Sequence, residues 1–200
     1  RYICLKLLNM LNIVIFGKPG SGKGTQASLV KDNYDLVHIS TGDVFRKNTS
    51  QGTELGKVAV QFMSKGELVP DEITISMLKE EIKSFMPCNG FIFDGFPRTI
   101  LQAESLDDLL KSMELKIDLV VALDVDNKKL IERLLKRGKT SGRSDDQSEE
   151  KINKRLEEYD NKTKPLINFY KIQEKFISIN GVGEFNEVTN RLISTIDSKI

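Results

Sequence analysis

The stretch 12–26, NIVIFGKPGSGKGTQ, decides how the whole chain is read. Residues 12–16 are short and almost wholly apolar, which predicts a buried strand. A glycine-rich turn follows, then Lys23, then a run (25–31) able to continue as a helix. Strand, glycine loop and helix N-terminus in this order make a cradle for phosphate, because the first N–H groups of a helix have no intrahelical partner. Gly17, Gly20, Gly22 and Gly24 let the backbone curl close to an anion, with Ser21 and Thr25 among them. Lys23 adds a full positive charge for the outer phosphates. A turn that only joined a strand to a helix would need none of this in register.

The general P-loop pattern has Ser or Thr directly after the lysine; here Gly24 intervenes and Thr25 comes one later. One residue is about 100° of helical rotation, so Thr25 is not expected to touch a metal ion directly.

Around this stretch lie 200 residues, a single-domain length with room for a sizeable core. A composition of 39% hydrophobic and 30% charged residues with a formal net charge of +1 points to a soluble globular protein. It argues against a disordered tail or a nucleic-acid partner, and no basic block marks a DNA or RNA footprint. Cys4 and Cys88 have no metal-type spacing, so free thiols in a reducing compartment are expected. No apolar run approaches the roughly 20 residues that span a bilayer. The segment 1–10 is basic and apolar but lacks a small-residue cleavage site. Met10 is a candidate natural start, with 1–9 an extension outside the fold.

Short apolar runs recur at 12–16, 36–39, 91–93, 118–123 and 176–179. Each is nearly continuous rather than alternating, as in parallel strands buried on both faces. Helix-like stretches separate them, which predicts an α/β fold: a parallel five-stranded sheet covered by helices on both faces. The segment 184–200 places Val188, Leu192, Ile196 and Ile200 on one face and predicts a closing amphipathic helix. Between the second and third strands, about fifty residues carry no strand signal and read as helices over 41–48, 54–64 and 71–85. An excursion longer than a plain crossover is expected to form a functional subdomain. The polar stretch 138–147, GKTSGRSDDQ, reads as a loop between two helices.

Several residues carry chemistry. In HISTGDVFR (38–46), Ser40 and Asp43 have capping-box spacing, and Arg46 sits in the early turns where it opposes the helix dipole. It is either an ordinary surface arginine or one awaiting an anion. FIFDGFPR (91–98) ends a buried strand in Asp94 and turns through Gly95 and Pro97 to Arg98. Ligands of open parallel sheets lie beyond the carboxyl ends of the strands, so the glycine loop and this turn are expected to meet at one crevice. Asp94 is either a solvated strand end or a Mg²⁺ partner acting through water, since that ion dehydrates reluctantly. Arg133, Arg137, Arg143 and Arg155 follow, with Asp145 and Asp146 available to hold them between turnovers. Phosphoryl transfer needs such charge, being largely positioning and neutralisation. His38 alone supports no acid–base hydrolase set. Asn161-Lys162-Thr163-Lys164 begins like a guanine-reading motif, but Lys164 occupies the carboxylate position, which disfavours a GTPase switch.

The ordered motifs GKPGSGKGTQ, STGDVFR, GELVPDEI, FDGFPRT with Gln102, LIERLLKRG and SGRSDD resemble those of the nucleoside monophosphate kinases, and within them the short-lid adenylate kinases. The resemblance covers 11–200. It implies a P-loop NTPase-like single domain with an NMP-binding subdomain at 40–69 and a short lid at 136–146 lacking a zinc insert. The implied activity is ATP + AMP to two ADP, Mg²⁺-dependent and reversible, maintaining adenine nucleotide balance in the cytoplasm, by a monomer without nucleic-acid or membrane partners. It assigns ATP to Gly20, Ser21, Gly22, Lys23, Gly24, Thr25, Arg133 and Arg137, with Gly183 near the adenine. It assigns AMP to Thr41, Arg46, Glu67, Leu68, Val69, Gly95, Phe96, Pro97, Arg98, Gln102, Arg143 and Arg155. The implied catalytic groups are Lys23, Arg46, Arg98, Arg137, Arg143 and Arg155, with Asp94 toward Mg²⁺. Thr41 and Gln102 favour AMP over pyrimidine monophosphates, although RSDD and VPDEITIS also suit the pyrimidine enzymes. Two departures stand out. Lys18 occupies a loop position where a neutral residue is commoner, and the Arg143–Arg155 spacing is one residue longer than in some relatives, leaving Lys154 as the alternative to Arg155.

Overall fold

The computed structural model describes residues 10–200; the expectations for 1–9, including Cys4, fall outside the described residues. Five strands form one sheet: β1 (Leu11–Gly17), β2 (Val37–Ser40), β3 (Gly90–Asp94), β4 (Leu119–Asp124) and β5 (Phe176–Asn180). All neighbours run parallel in the order β2-β3-β1-β4-β5, so β1 is central. Burial on both faces explains the continuous apolar runs of β1, β3 and β4, whereas the edge strands β2 and β5 are only partly buried, each having a neighbour on one side alone. Val14, Phe16, Phe91, Phe93 and Val120 pack to one side, and Ile13, Ile15, Ile92 and Val121 to the other.

The first face is covered by α4 (Asp71–Phe85), α5 (Ile100–Lys111) and α8 (Leu166–Ile172), through Leu78, Ile82, Leu106, Leu110, Leu166 and Tyr170. The second is covered by α1 (Lys23–Tyr34) and α9 (Phe185–Asp197), through Ala27, Val30, Val188, Leu192 and Ile196. The closing helix stops at Asp197, so Ile200 is exposed rather than continuing the apolar stripe.

The long excursion contains α2 (Thr41–Gln51) and α3 (Glu54–Met63), which share a small core of Phe45, Ala59, Val69 and Met77. Its third helix, α4, belongs to the sheet's main layer. After β4, α6 (Asn127–Ser141) leads out to a one-turn 3₁₀ segment (Ser144–Asp146), and α7 (Glu149–Glu158) returns. The polar stretch 138–147 is therefore only partly loop: α6 runs through Gly138 to Ser141. Tyr159–Thr163 forms a single π-type turn between α7 and α8, the conformation of the Asn-Lys-Thr segment.

One buried polar side chain interrupts the apolar centre. Asn12 donates from Nδ2 to the Lys116 carbonyl (2.9 Å) and accepts at Oδ1 from the Phe91 N–H (3.2 Å). Asn12→Leu keeps the volume but removes both partners from buried groups, and is expected to cost about 1–3 kcal/mol in urea unfolding.

Candidate active site

Two clefts open at the carboxyl ends of the strands, on either side of the β1–α1 loop. Lys18, Pro19, Gly20 and Ser21 make its first turn, closed by the Ser21 N–H donating to the Lys18 carbonyl at 3.1 Å. Pro19 second and Gly20 third, with φ +84° at the glycine, is the type II arrangement. The loop then enters α1 at Lys23 after Gly22, whose φ is +90°. The first turn of α1 thus aims its free N–H groups out of the sheet, with no acidic residue there to oppose an anion.

The first cleft is lined by Lys23, Thr41, Arg46, Glu67, Leu68, Val69, Gly95, Pro97, Arg98, Gln102 and Arg155. Arg155 and Lys154 lie on different surfaces. Arg155 faces this cleft, whereas Lys154 lines a separate outer groove with Ser64 and Lys65. The second cleft is lined by Gly20, Ser21, Gly22, Thr25, Arg133 and Gly183. Lys23 lines the first cleft, and its chain neighbours Gly22 and Thr25 line the second.

Some expected residues lie elsewhere. The Phe96 side chain is 1% exposed and packs in the main core, so only its backbone is at the site. Gly24 lies under Asp94: a Cβ there would sit 3.1 Å from Asp94 Oδ2. Arg137 and Arg143 line neither cleft. Arg137 Nε donates to Asp146 Oδ2 at 2.6 Å, and Arg143 approaches Asp43 Oδ1 at 4.0 Å.

The arginines are held by backbone and by aspartates. Arg98 Nε donates to the Gly95 carbonyl (2.6 Å), which also accepts from Thr41 Oγ1 (2.9 Å), joining the ends of β2 and β3. The Arg98 carbonyl accepts from Thr163 Oγ1 at 3.1 Å. Arg155 pairs with Asp145 at 3.0 Å and with Asp146, whose carboxylate thereby joins Arg137 to Arg155. Arg46 pairs with Asp43. The Ser40–Asp43 capping box is only half formed: Ser40 Oγ accepts from the Asp43 N–H at 3.4 Å, and the Asp43 carboxylate turns to Arg46 instead.

Gln102 is more engaged than its sequence position suggests. Its Oε1 accepts from the Arg98 N–H (2.8 Å) and its Nε2 donates to Asp71 Oδ1 (2.7 Å), while Thr99 Oγ1 donates to Asp71 Oδ2 (2.8 Å). One amide hydrogen and one lone pair remain for a ligand. Asp71 and Thr163 are site residues that sequence reasoning missed; they meet their partners only through the fold, 31 and 65 residues away.

With that geometry in view, comparison with known proteins is decisive. The adenylate kinase family model matches residues 15–175. The chain belongs to the adenylate kinase family. A relative from Flavobacterium psychrophilum named adenylate kinase is 53% identical over 189 residues, covering 94% of this chain and 100% of the relative. Adenylate kinases of Bacteroides fragilis and Leptospira biflexa are 48% and 44% identical, again over 94% of this chain and the full relative.

Within this adenylate kinase framework the electrostatics centre on Lys23. Burial pulls its ammonium down to about 8, helped by Arg98, Arg155 and Arg137 and opposed by Asp94. Burial likewise pulls Arg98 down to about 10, with Arg155 and Arg46 adding to it. Burial works to raise Asp94, but the approach of His38, with Lys23 and Arg98, outweighs it and holds the carboxyl below its usual range. Asp146 is held low in the same way by Arg137 and Arg155. His38 thus has an electrostatic neighbour, 3.7 Å from Asp94, rather than a nucleophile to activate.

The sign of the pH effect follows. A lysine whose folded pKa is about 8 against 10.5 releases its proton in the folded state first. Over that window the unfolded chain binds more protons, so folded stability rises with pH. Relative to Lys23→Met, the wild type is expected to gain on the order of 2 kcal/mol between pH 7.5 and 9.5, read by urea unfolding. A flat difference would contradict the assigned environment of Lys23.

Proposed function

We propose that the chain catalyses reversible transfer of the terminal phosphoryl group of ATP to AMP, giving two molecules of ADP. The observation that carries this reading is a pair of clefts sharing one phosphate-binding loop, the first lined by Lys23 and the second by Gly20, Ser21, Gly22 and Thr25, in a chain of the adenylate kinase family. The second cleft takes ATP: the loop N–H groups of Gly20–Thr25 and Lys23 hold its phosphates, Arg133 and Arg137 add charge, and Gly183 lies beside the adenine. The first cleft takes AMP, with its phosphate between Arg46, Arg98, Arg143 and Arg155. Thr41, the backbone from Glu67 to Val69, Gly95–Pro97 and Gln102 surround its base and sugar.

The transfer needs no general base, because the AMP phosphate is already an anionic nucleophile. What the protein supplies is alignment and neutralisation of the moving group. Asp43, Asp145 and Asp146 hold the arginines in place of phosphate, and an incoming polyanion exchanges with those carboxylates. Residues 136–146 serve as the short lid and 40–69 as the AMP-binding flap. Closing them excludes water, so that ATP is not hydrolysed unproductively.

Mg²⁺ fits this site. The Asp94 carboxylate beside Lys23 is buried, and its Oδ1 has no hydrogen-bond partner. That oxygen suits a carboxylate that orients water around an ion held chiefly by phosphates. Bound there with ATP, Mg²⁺ supplies charge neutralisation across the phosphates. Among the described residues no group of three or more His, Cys, Asp or Glu is placed to hold a metal ion, and no helix is long and apolar enough to cross a membrane. A cytoplasmic monomer, acting on small-molecule nucleotides, completes the proposal.

A coupled assay offering ATP with AMP, CMP, UMP and GMP in turn is expected to show AMP as the preferred acceptor; a pyrimidine preference would overturn the acceptor assignment. Lys23→Met and Arg98→Ala are each expected to lower turnover about 10³-fold or more while the circular dichroism spectrum stays unchanged. Near-normal rates in either variant would sink the mechanism.

A further inference from the structure

The loop contains a second lysine that the reaction does not use. Lys18 lines neither cleft, unlike Lys23. Its ammonium donates to Asn127 Oδ1 at 3.0 Å and to Asp160 Oδ2 at 2.9 Å. Asn127 is the first residue of α6, the limb leading out to residues 142–148; Asp160 lies in the π-type turn just after α7, the limb returning from them. One ammonium therefore joins the phosphate-binding loop to the base of both limbs. The backbone reinforces the link. Lys18 is the first corner of the type II turn, and the Gly20 Cα packs so closely on α6 that a Cβ there would sit 3.1 Å from the Leu130 carbonyl.

We propose that Lys18 is a positioning residue, a strut that holds the loop in its phosphate-receiving shape by tying it to both stems of the lid. The proposal rests on the reading that this loop binds ATP. Its physical basis is preorganisation: a loop already held in the bound conformation has less freedom to lose when the triphosphate arrives. The Lys18–Asp160 pair is partly exposed, with side chains 23% and 37% accessible. Pairs of that kind add little to global stability. The strut's effect belongs to ligand affinity rather than to melting temperature.

Asp160 distinguishes a strut from a simple extra charge. If Lys18 merely attracted phosphate, Asp160→Asn would remove the carboxylate that neutralises the ammonium and repels the ligand, and ATP would bind as tightly or more tightly; for a strut it replaces a charge-assisted bond by a weaker neutral one. If Lys18 is a strut, Asp160→Asn loosens the loop and ATP binds more weakly. The experiment is calorimetric titration of ATP, and separately of AMP, into wild type, Lys18→Met, Lys18→Arg, Asp160→Asn and the Lys18→Met/Asp160→Asn double variant. Lys18→Met and Asp160→Asn are each expected to weaken ATP binding about 3- to 10-fold, with the double variant no weaker than the worse single. Lys18→Arg is expected to recover most of the loss, and AMP affinity and melting temperature to stay close to wild type. Unchanged or tighter ATP binding by Asp160→Asn, or losses that simply add in the double variant, would overturn the strut. Failure of the wild type itself to bind ATP would instead sink the functional reading beneath it.

Discussion

Burial of cations around Lys23, to which their mutual repulsion adds, is the constraint on which the rest of the structure depends. An ammonium lowered to about 8 and a guanidinium lowered to about 10 lie together with further arginines, and Asp94 is the carboxylate that most opposes their combined effect on Lys23. Such an arrangement is unfavourable for the protein alone. It becomes favourable when phosphates supply the missing negative charge, and the protein's low-polarity walls then strengthen each contact. A site that disfavours its own charge in the absence of ligand binds a polyanion at the point where that charge is concentrated.

The fold keeps this concentration from relaxing. β1 and β3 are adjacent, so the glycine loop and the Asp94–Arg98 turn are forced to one crevice. Arg98 cannot swing away, because its Nε, N–H and carbonyl are each bonded, to Gly95, Gln102 and Thr163. The other arginines are held differently. Arg46, Arg137, Arg143 and Arg155 are held by aspartates, partners that phosphate can replace without unfolding anything. Arg98, fixed at the sheet, thus differs from the arginines of α2, α6 and α7 and the turn after α6, whose partners are carboxylates.

How much of this was legible in the sequence follows from the range of the interactions. Strands buried on both faces write themselves as unbroken apolar runs, and all five were readable. The glycine loop was readable too, because its chemistry is local. The stretch 138–147 was not: Gly138, Thr140 and Ser141 are weak helix formers, and their sequence reads as loop. Tertiary contact overrides that preference, with Gly138 packed so tightly that a Cβ would lie 2.3 Å from the Asp146 carbonyl. The Gln102–Asp71–Thr99 network and the Lys18–Asp160 pair were hidden for another reason. No periodicity links residues separated by 31 or 142 positions until the sheet order brings them together. Asp43 shows the middle case: its capping role was visible locally, and its preference for Arg46 emerged only in three dimensions.

The proposed reaction requires the two clefts to be halves of one site along the phosphate-binding loop, with Lys23 between the phosphates of both nucleotides. It is tested most directly by calorimetric titration with a compound in which two adenosines are linked through five phosphates, set beside ATP and AMP alone at pH 8.5. One molecule then reaches both clefts and crosses Lys23. The expected result is binding at least about 100-fold tighter than that of ATP, because the second contact becomes intramolecular, with proton uptake as phosphate raises the lysine's pKa. An affinity no better than that of ATP, with no proton taken up, would contradict it.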